Sequence, residues 1–260
     1  MAYTTLELKF EDGIAAITLN RPDMRNAISN EMIDEIPAAL GEVEASKARV
    51  AILTGAGKAF CAGMDLESLR AIASQSHAQN LEDSRRMAKM FHRVYSFPKP
   101  LIAAVNGAAI AGGSGLATLA DFTLAVPDAK FGYTEVRIGF LPAVVSVFLL
   151  RQIGEKRTRE LLLTGRLFEA EEARAMGLVT QIVAPDRLLE TARHLAHSLI
   201  AFSPTSLSRT KRLLLRWNEK EIERDLQIAI EESANIRRTA DFREGLSAFL
   251  EKREPKWSGE

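Results

Sequence analysis

The stretch LIAAVNGAAIAGGSGLATLADFTLAV, residues 101–126, decides how this chain is read. It opens on a short, continuously apolar run closed by Asn106-Gly107, the pattern of a strand buried on both faces. It closes on a second apolar run, residues 122–126. Between them Gly112-Gly113-Ser114-Gly115 interrupts the apolar sequence, although glycine weakens a helix or strand by the conformational freedom it loses on folding. Ser114 reads as a small turn residue: a nucleophile elbow centred on it requires glycine at 116, where Leu116 stands.

The same arrangement occurs earlier. VAILTG, residues 50–55, reads as a buried strand stopped by glycine, and GKAFCAGMDL, residues 57–66, leads from it to a helix that Asp65 is placed to cap. Loops of this kind form tight strand-to-helix turns, and they can also leave backbone N–H groups unpaired and aimed into a cleft. Two such groups converging on one oxygen make an oxyanion hole.

Outside these loops, GIAAITLN (13–20) reads as a strand ended by the turn Arg21-Pro22-Asp23. Ser29 is placed to cap a helix in which Met32, Ile33, Ile36, Ala39, Leu40 and Val43 recur at helical spacing, with Pro37 predicting a kink or a weakened helix. Strands alternating with helical segments imply α/β architecture. From about residue 169 the pattern turns helical, as in LFEAEEARAMGL (167–178) and ERDLQIAIEESANIRR (223–238), with no low-complexity linker before it. The expected organisation is a mixed core over residues 1–200 and a helical region over 201–260, packed onto that core or onto a neighbour.

Composition excludes several classes. Lys plus Arg and Asp plus Glu number 34 each, so no global field points to nucleic acid or a membrane surface. The single cysteine, Cys61, forms no internal disulfide and fits a reducing compartment. The first residues lack the charged and apolar regions of a signal peptide, no apolar run reaches about twenty residues, and a cytoplasmic location is expected. The phosphate-loop, dinucleotide and metal patterns each miss required residues: His194 and His197 lack a third ligand and read as a helix surface. No metal or separate cofactor is expected.

Taken together, the segments resemble the crotonase, or enoyl-CoA hydratase/isomerase, superfamily along nearly the whole chain. The resemblance is carried by NRPDMRNAIS (20–29), LTGAGKAFCAGMDL (53–66), AVNGAAIAGGSGLATLADFTLA (104–125), FGYTEVRIGFLP (131–142), LLTGRLFEAEEARAMGLV (162–179) and EGLSAFLEKREPKW (244–257). It implies a spiral of ββα units with a helical C-terminal trimerisation region, assembled as a homo-trimer or a dimer of trimers. It implies an acyl-CoA thioester as substrate, with coenzyme A entering only as part of it, and the Met64 and Gly112 N–H groups as enolate-oxygen donors. One such donor is worth about 3–4 kcal/mol at a developing oxyanion.

By the same resemblance Arg25, Ala27, Phe60, Ala62, Asp65 and Leu66 surround the CoA portion. Phe249 and Lys252 resemble the pair that a neighbouring subunit supplies to the nucleotide, although helix packing would equally account for Phe249. Hydratases of the family use two glutamates. Glu135 matches the second, and the position of the first is Gly115, which lies beside the substrate and cannot transfer a proton. A single carboxylate suits a one-base shuttle, in which Glu135 removes a proton from C2 of a 3-enoyl-CoA and returns it at C4. Hydration stays open, because the segment around Glu135 looks most like bacterial hydratases, as does a CoA-thioester binding protein without turnover. The apolar residues Phe140, Leu141, Pro142, Ala143 and Val144 are expected to line an acyl pocket.

Overall fold

Strand β3 (Val50–Gly55) is buried along almost its whole length and lies between two parallel neighbours, as its unbroken apolar sequence requires. In the computed structural model, which describes residues 3–260, the chain begins with the antiparallel pair β1 (Leu6–Glu11) and β2 (Ile14–Leu19), followed by helix α1 (Asn30–Ala45). Ser29 caps α1 by accepting from the Met32 N–H, and the six apolar residues named above are its buried face. Pro37 sits inside this helix without ending it.

After β3 come β4 (Ala59–Cys61), α2 (Leu66–Ser74) and α3 (His77–Tyr95). The pattern repeats with β5 (Leu101–Val105), β6 (Ala108–Ile110) and α4 (Gly112–Thr118), and again with β7 (Phe122–Ala125), β8 (Lys130–Gly132) and α5 (Ala143–Thr164), which is broken at Gly154. In each repeat the first strand joins one sheet and the second joins another. The larger sheet has the order β1-β2-β3-β5-β7-β10 and the smaller β4-β6-β8-β9. This is the ββα spiral that the resemblance implied, and it places the two glycine-rich loops side by side, since β4 and β6 pair in parallel.

The remaining elements are β9 (Leu167–Glu169), α6 (Ala170–Met176), β10 (Gln181–Ile182), α7 (Leu188–Ile200), α8 (Pro204–Ile236) and α9 (Ala240–Glu251). Residues 167–169, read from the sequence as the start of a helical stretch, form a strand instead. They pair antiparallel with β8, and Phe168 stacks on Phe131 with ring centroids 5.9 Å apart. Tertiary pairing outweighs the helical propensity of so short a segment.

Helix α7 packs on β3, β5 and β7, while α8 packs on α3 and α5 and adds Ile222, Leu226, Ala229 and Ile230 to the main core. Helix α9 turns back onto α2 and the turn at residues 135–138, where Phe242 and Leu246 meet Leu69 and Ile72. Among the described residues no helix is long and apolar enough to cross a membrane.

Candidate active site

A cavity of about 460 Å³ opens where the two glycine-rich loops, the turn at residues 135–138, the start of α5 and the end of α8 converge. Its wall includes Met64, Gly112 and Glu135, together with Arg25, Ala27, Ala62, Leu66 and Phe249. The sequence also pointed to Phe60, Asp65, Gly115 and Lys252. None of these is on the wall: Phe60 is fully buried within β4, Gly115 is buried within α4, and Lys252 is exposed just past α9. Asp65 is buried as the cap of α2, accepting from the Glu67 N–H at 2.8 Å while its other oxygen lies 2.8 Å from Arg21 Nη1. Phe249 is half exposed and lines the cavity of its own chain.

Asn26, buried and in the left-handed conformation, holds the first loop in place. Its Nδ2 donates to Ala56 O at 2.9 Å and Ala59 O at 2.8 Å, and its Oδ1 accepts from the Arg21 N–H at 2.9 Å. Ile28 then bridges to the segment at Met64, its N–H donating to Gly63 O and its carbonyl accepting from the Asp65 N–H. This pairing skips the Met64 N–H, which donates no hydrogen bond among the described residues.

The second loop turns at Ala111, whose φ of 51° and ψ of −120° are costly for a residue with a Cβ. The following residue, Gly112, is the first of α4, so its N–H has no partner within the helix. The three glycines of this loop are required for different reasons. A Cβ on Gly113 would stand 2.2 Å from Cys61 O, a backbone clash that prevents α4 from packing on β4. On Gly112 it would meet the tip of Ile28 at 3.1 Å and the Phe91 ring at 3.5 Å, both side chains. On Gly115 it would meet hydrocarbon, Phe91 Cε1 and Val145 Cγ1, each at 2.8 Å. Ser114 stitches β6 to β8, its Oγ donating to Ala109 O at 2.6 Å and accepting from the Gly132 N–H at 3.0 Å.

Glu135 opens the turn after β8, with part of the residue facing the cavity and its Oε2 buried without a hydrogen-bond partner among the described residues. Burial disfavours the carboxylate and pushes Glu135 from the usual 4.5 up to about 7. A carboxyl group held near neutrality can both take and return a proton. Phe140, Leu141, Pro142, Ala143 and Val144 all line the cavity, as expected, and Met87 and Phe91 of α3 complete an apolar wall.

Sequence reading missed a buried charged group on this wall. Arg237, immediately after α8, lines the cavity and pairs with Asp83 of α3 at 2.7 Å. Nothing in the local pattern distinguished it from the other arginines of the helical C-terminal region.

Comparison with known proteins identifies the family. The chain matches the family described as enoyl-CoA hydratase/isomerase over residues 9–260. A Thermus thermophilus protein named provisionally as an enoyl-CoA hydratase is 46% identical over 245 residues, covering 94% of this chain and 97% of that protein. The short-chain-enoyl-CoA hydratase of Clostridium acetobutylicum is 32% identical over 260 residues, with 97% of each chain covered. The crystal structure of an enoyl-CoA hydratase/isomerase from Xanthobacter autotrophicus Py2 superimposes with a TM-score of 0.89 at 32% identity, covering 97% of this chain and 98% of the other.

Proposed function

Since the chain belongs to the enoyl-CoA hydratase/isomerase family, we propose that it moves the double bond of an enoyl-CoA thioester, with Glu135 as its one acid–base group. The observation that carries this reading is the packing at position 115. Even a Cβ at that position would stand 2.8 Å from Phe91 Cε1 and Val145 Cγ1, and Glu135 is the one carboxylate on the cavity wall with a buried oxygen among the described residues.

In this reading Glu135 takes a proton from C2 of a 3-enoyl-CoA. The electron pair of the broken C–H bond delocalises onto the thioester oxygen, giving a dienolate that accepts hydrogen bonds from the Met64 and Gly112 N–H groups. The proton then returns at C4, so the double bond shifts from C3–C4 to C2–C3 with no other reactant. Neither N–H group has a partner among the described residues, and Met64 and Gly112 both line the cavity with Glu135, which supports their role as the oxyanion donors. Arg25, Ala27, Ala62 and Leu66 form the wall suited to the CoA portion, while residues 140–144 hold the acyl chain.

Hydration of a 2-enoyl-CoA is the second reading, favoured by the hydratase names of the relatives. Incubation with 3-hexenoyl-CoA and crotonyl-CoA in parallel separates the two. Isomerisation produces new conjugated-thioester absorbance from the first and no change in the second, whereas loss of that absorbance from crotonyl-CoA would establish hydration instead.

Leu213, Leu214, Trp217 and Ile228 of α8 are each at least half exposed. An apolar strip of this kind supports association of copies as a trimer or dimer of trimers. Light scattering giving a monomer would overturn that assembly.

A further inference from the structure

The cavity is apolar along most of its wall but carries a polar group at its α8 side that double-bond chemistry does not use. The Arg237 side chain is 2% exposed, and its Nη1 donates to Asp83 Oδ2 at 2.7 Å and to Asn80 Oδ1 at 3.3 Å. Both acceptors belong to α3. The guanidinium lies against the Phe140 ring, with Cζ 5.5 Å from its centroid. Among the described residues its buried Nε has no partner and Nη2 donates to nothing.

Buried arginines ordinarily use their whole fork of donors, and a buried N–H left unpaired loses its bonds to water without replacement. Asp83 answers the charge of Arg237 from one side only. The opposite edge, Nε and Nη2, presents two parallel N–H groups at the spacing of two carboxylate oxygens, the geometry in which arginine binds carboxylates bidentately. Ser233, one turn earlier on α8, also lines the cavity. It accepts from Ser84 Oγ at 3.1 Å and so retains its own proton to donate. An alkyl end reaching this point would leave all these donors unsatisfied.

We propose that the Nε–Nη2 edge of Arg237, assisted by Ser233, receives a carboxylate at the far end of the acyl chain, so that the substrates are CoA thioesters of unsaturated dicarboxylic acids. This rests on the reading of the cavity as an acyl-CoA site and specifies its substrate class. Asp83 is a positioning residue: it holds the guanidinium by Nη1 and leaves the Nε–Nη2 edge unpaired.

Calorimetric titration of the full chain with adipyl-CoA and hexanoyl-CoA tests the proposal without requiring turnover, because the two saturated thioesters differ only at the far carbon. The wild-type chain binds adipyl-CoA at least about tenfold more tightly. Arg237→Lys keeps the charge beside Asp83 but loses the fork, and the preference falls severalfold. The double variant Arg237→Met/Asp83→Leu leaves no unpaired buried charge and abolishes the preference. The readout is the ratio of the two affinities, so a general loosening of the wall lowers both without mimicking the effect. Equal affinities in the wild type, or a preference surviving in the double variant, would overturn the carboxylate while leaving the acyl-CoA reading intact. Failure of both thioesters to bind would overturn that reading and the proposal with it.

Discussion

Phe91 lies so close over Gly115 that a Cβ at position 115 would stand 2.8 Å from its Cε1, and Val145 closes the other side at the same distance. A contact of that length forces side chains off their rotamers or moves the backbone. Gly115→Ala is therefore expected to destabilise the fold by about 1–3 kcal/mol, read as a lower urea midpoint at unchanged m-value. Adding Phe91→Leu recovers part of the loss, and strict additivity of the two substitutions would contradict the contact.

Glu135→Gln removes the proposed acid–base group while preserving its shape. Turnover of 3-hexenoyl-CoA is expected to fall by about 10²–10⁴-fold, with binding of a saturated acyl-CoA nearly unchanged. Full retained turnover would remove Glu135 from the mechanism.

The protonation of Glu135 predicts a pH profile. Burial holds its carboxyl at about 7 instead of the usual 4.5, and only the ionised form can take a proton from C2. The kcat/KM for isomerisation should rise with pH and level off above about 7. A profile flat between pH 5 and 9 would contradict the assignment.

The same group makes stability depend on pH with a definite sign. Between 4.5 and about 7 the folded chain retains a proton that the unfolded chain releases, so stability falls as pH rises through that window and stays lower above it. Glu135→Gln should therefore be more stable than wild type at pH 8, by up to about 3 kcal/mol, with the difference vanishing near pH 4. Denaturant midpoints at the two pH values measure this directly.

Ala111 occupies a backbone conformation suited to glycine, at φ 51° and ψ −120°. Ala111→Gly is expected to stabilise the fold by about 1 kcal/mol, the relief of strain exceeding the added freedom of the unfolded chain. A lowered melting temperature would mean that the Ala111 Cβ packs more favourably against its surroundings than its backbone is strained.

Asp65 accepts from the Glu67 N–H and faces Arg21, and so holds the start of α2. Asp65→Ala should cost about 1–2 kcal/mol, and it should weaken acyl-CoA binding only through α2, which carries Leu66 and Leu69 on the cavity wall. Asp65→Asn keeps the cap and should recover most of the stability.

Much of the architecture was legible in single residues and short windows. The buried face of α1 follows from apolar spacing, its start from Ser29, and the start of α2 from Asp65, because these interactions span a turn of helix at most. The runs at β3, β5 and β7 announced strands covered on both faces. β1 left no such signal, since only Leu6 of its six residues is buried.

What the sequence alone determined, then, is the local conformation, the two glycine-rich turns and the absence of a carboxylate at position 115. What fills the space beside that glycine was decided by tertiary structure, since Phe91 and Val145 reach it from α3 and α5. The same holds for Arg237, which meets Asp83 across 154 residues of chain. Spacing within a helix or strand restricts neighbours only over a few residues, whereas burial, and with it the protonation of Glu135 and the free edge of Arg237, arises only when distant elements exclude water together.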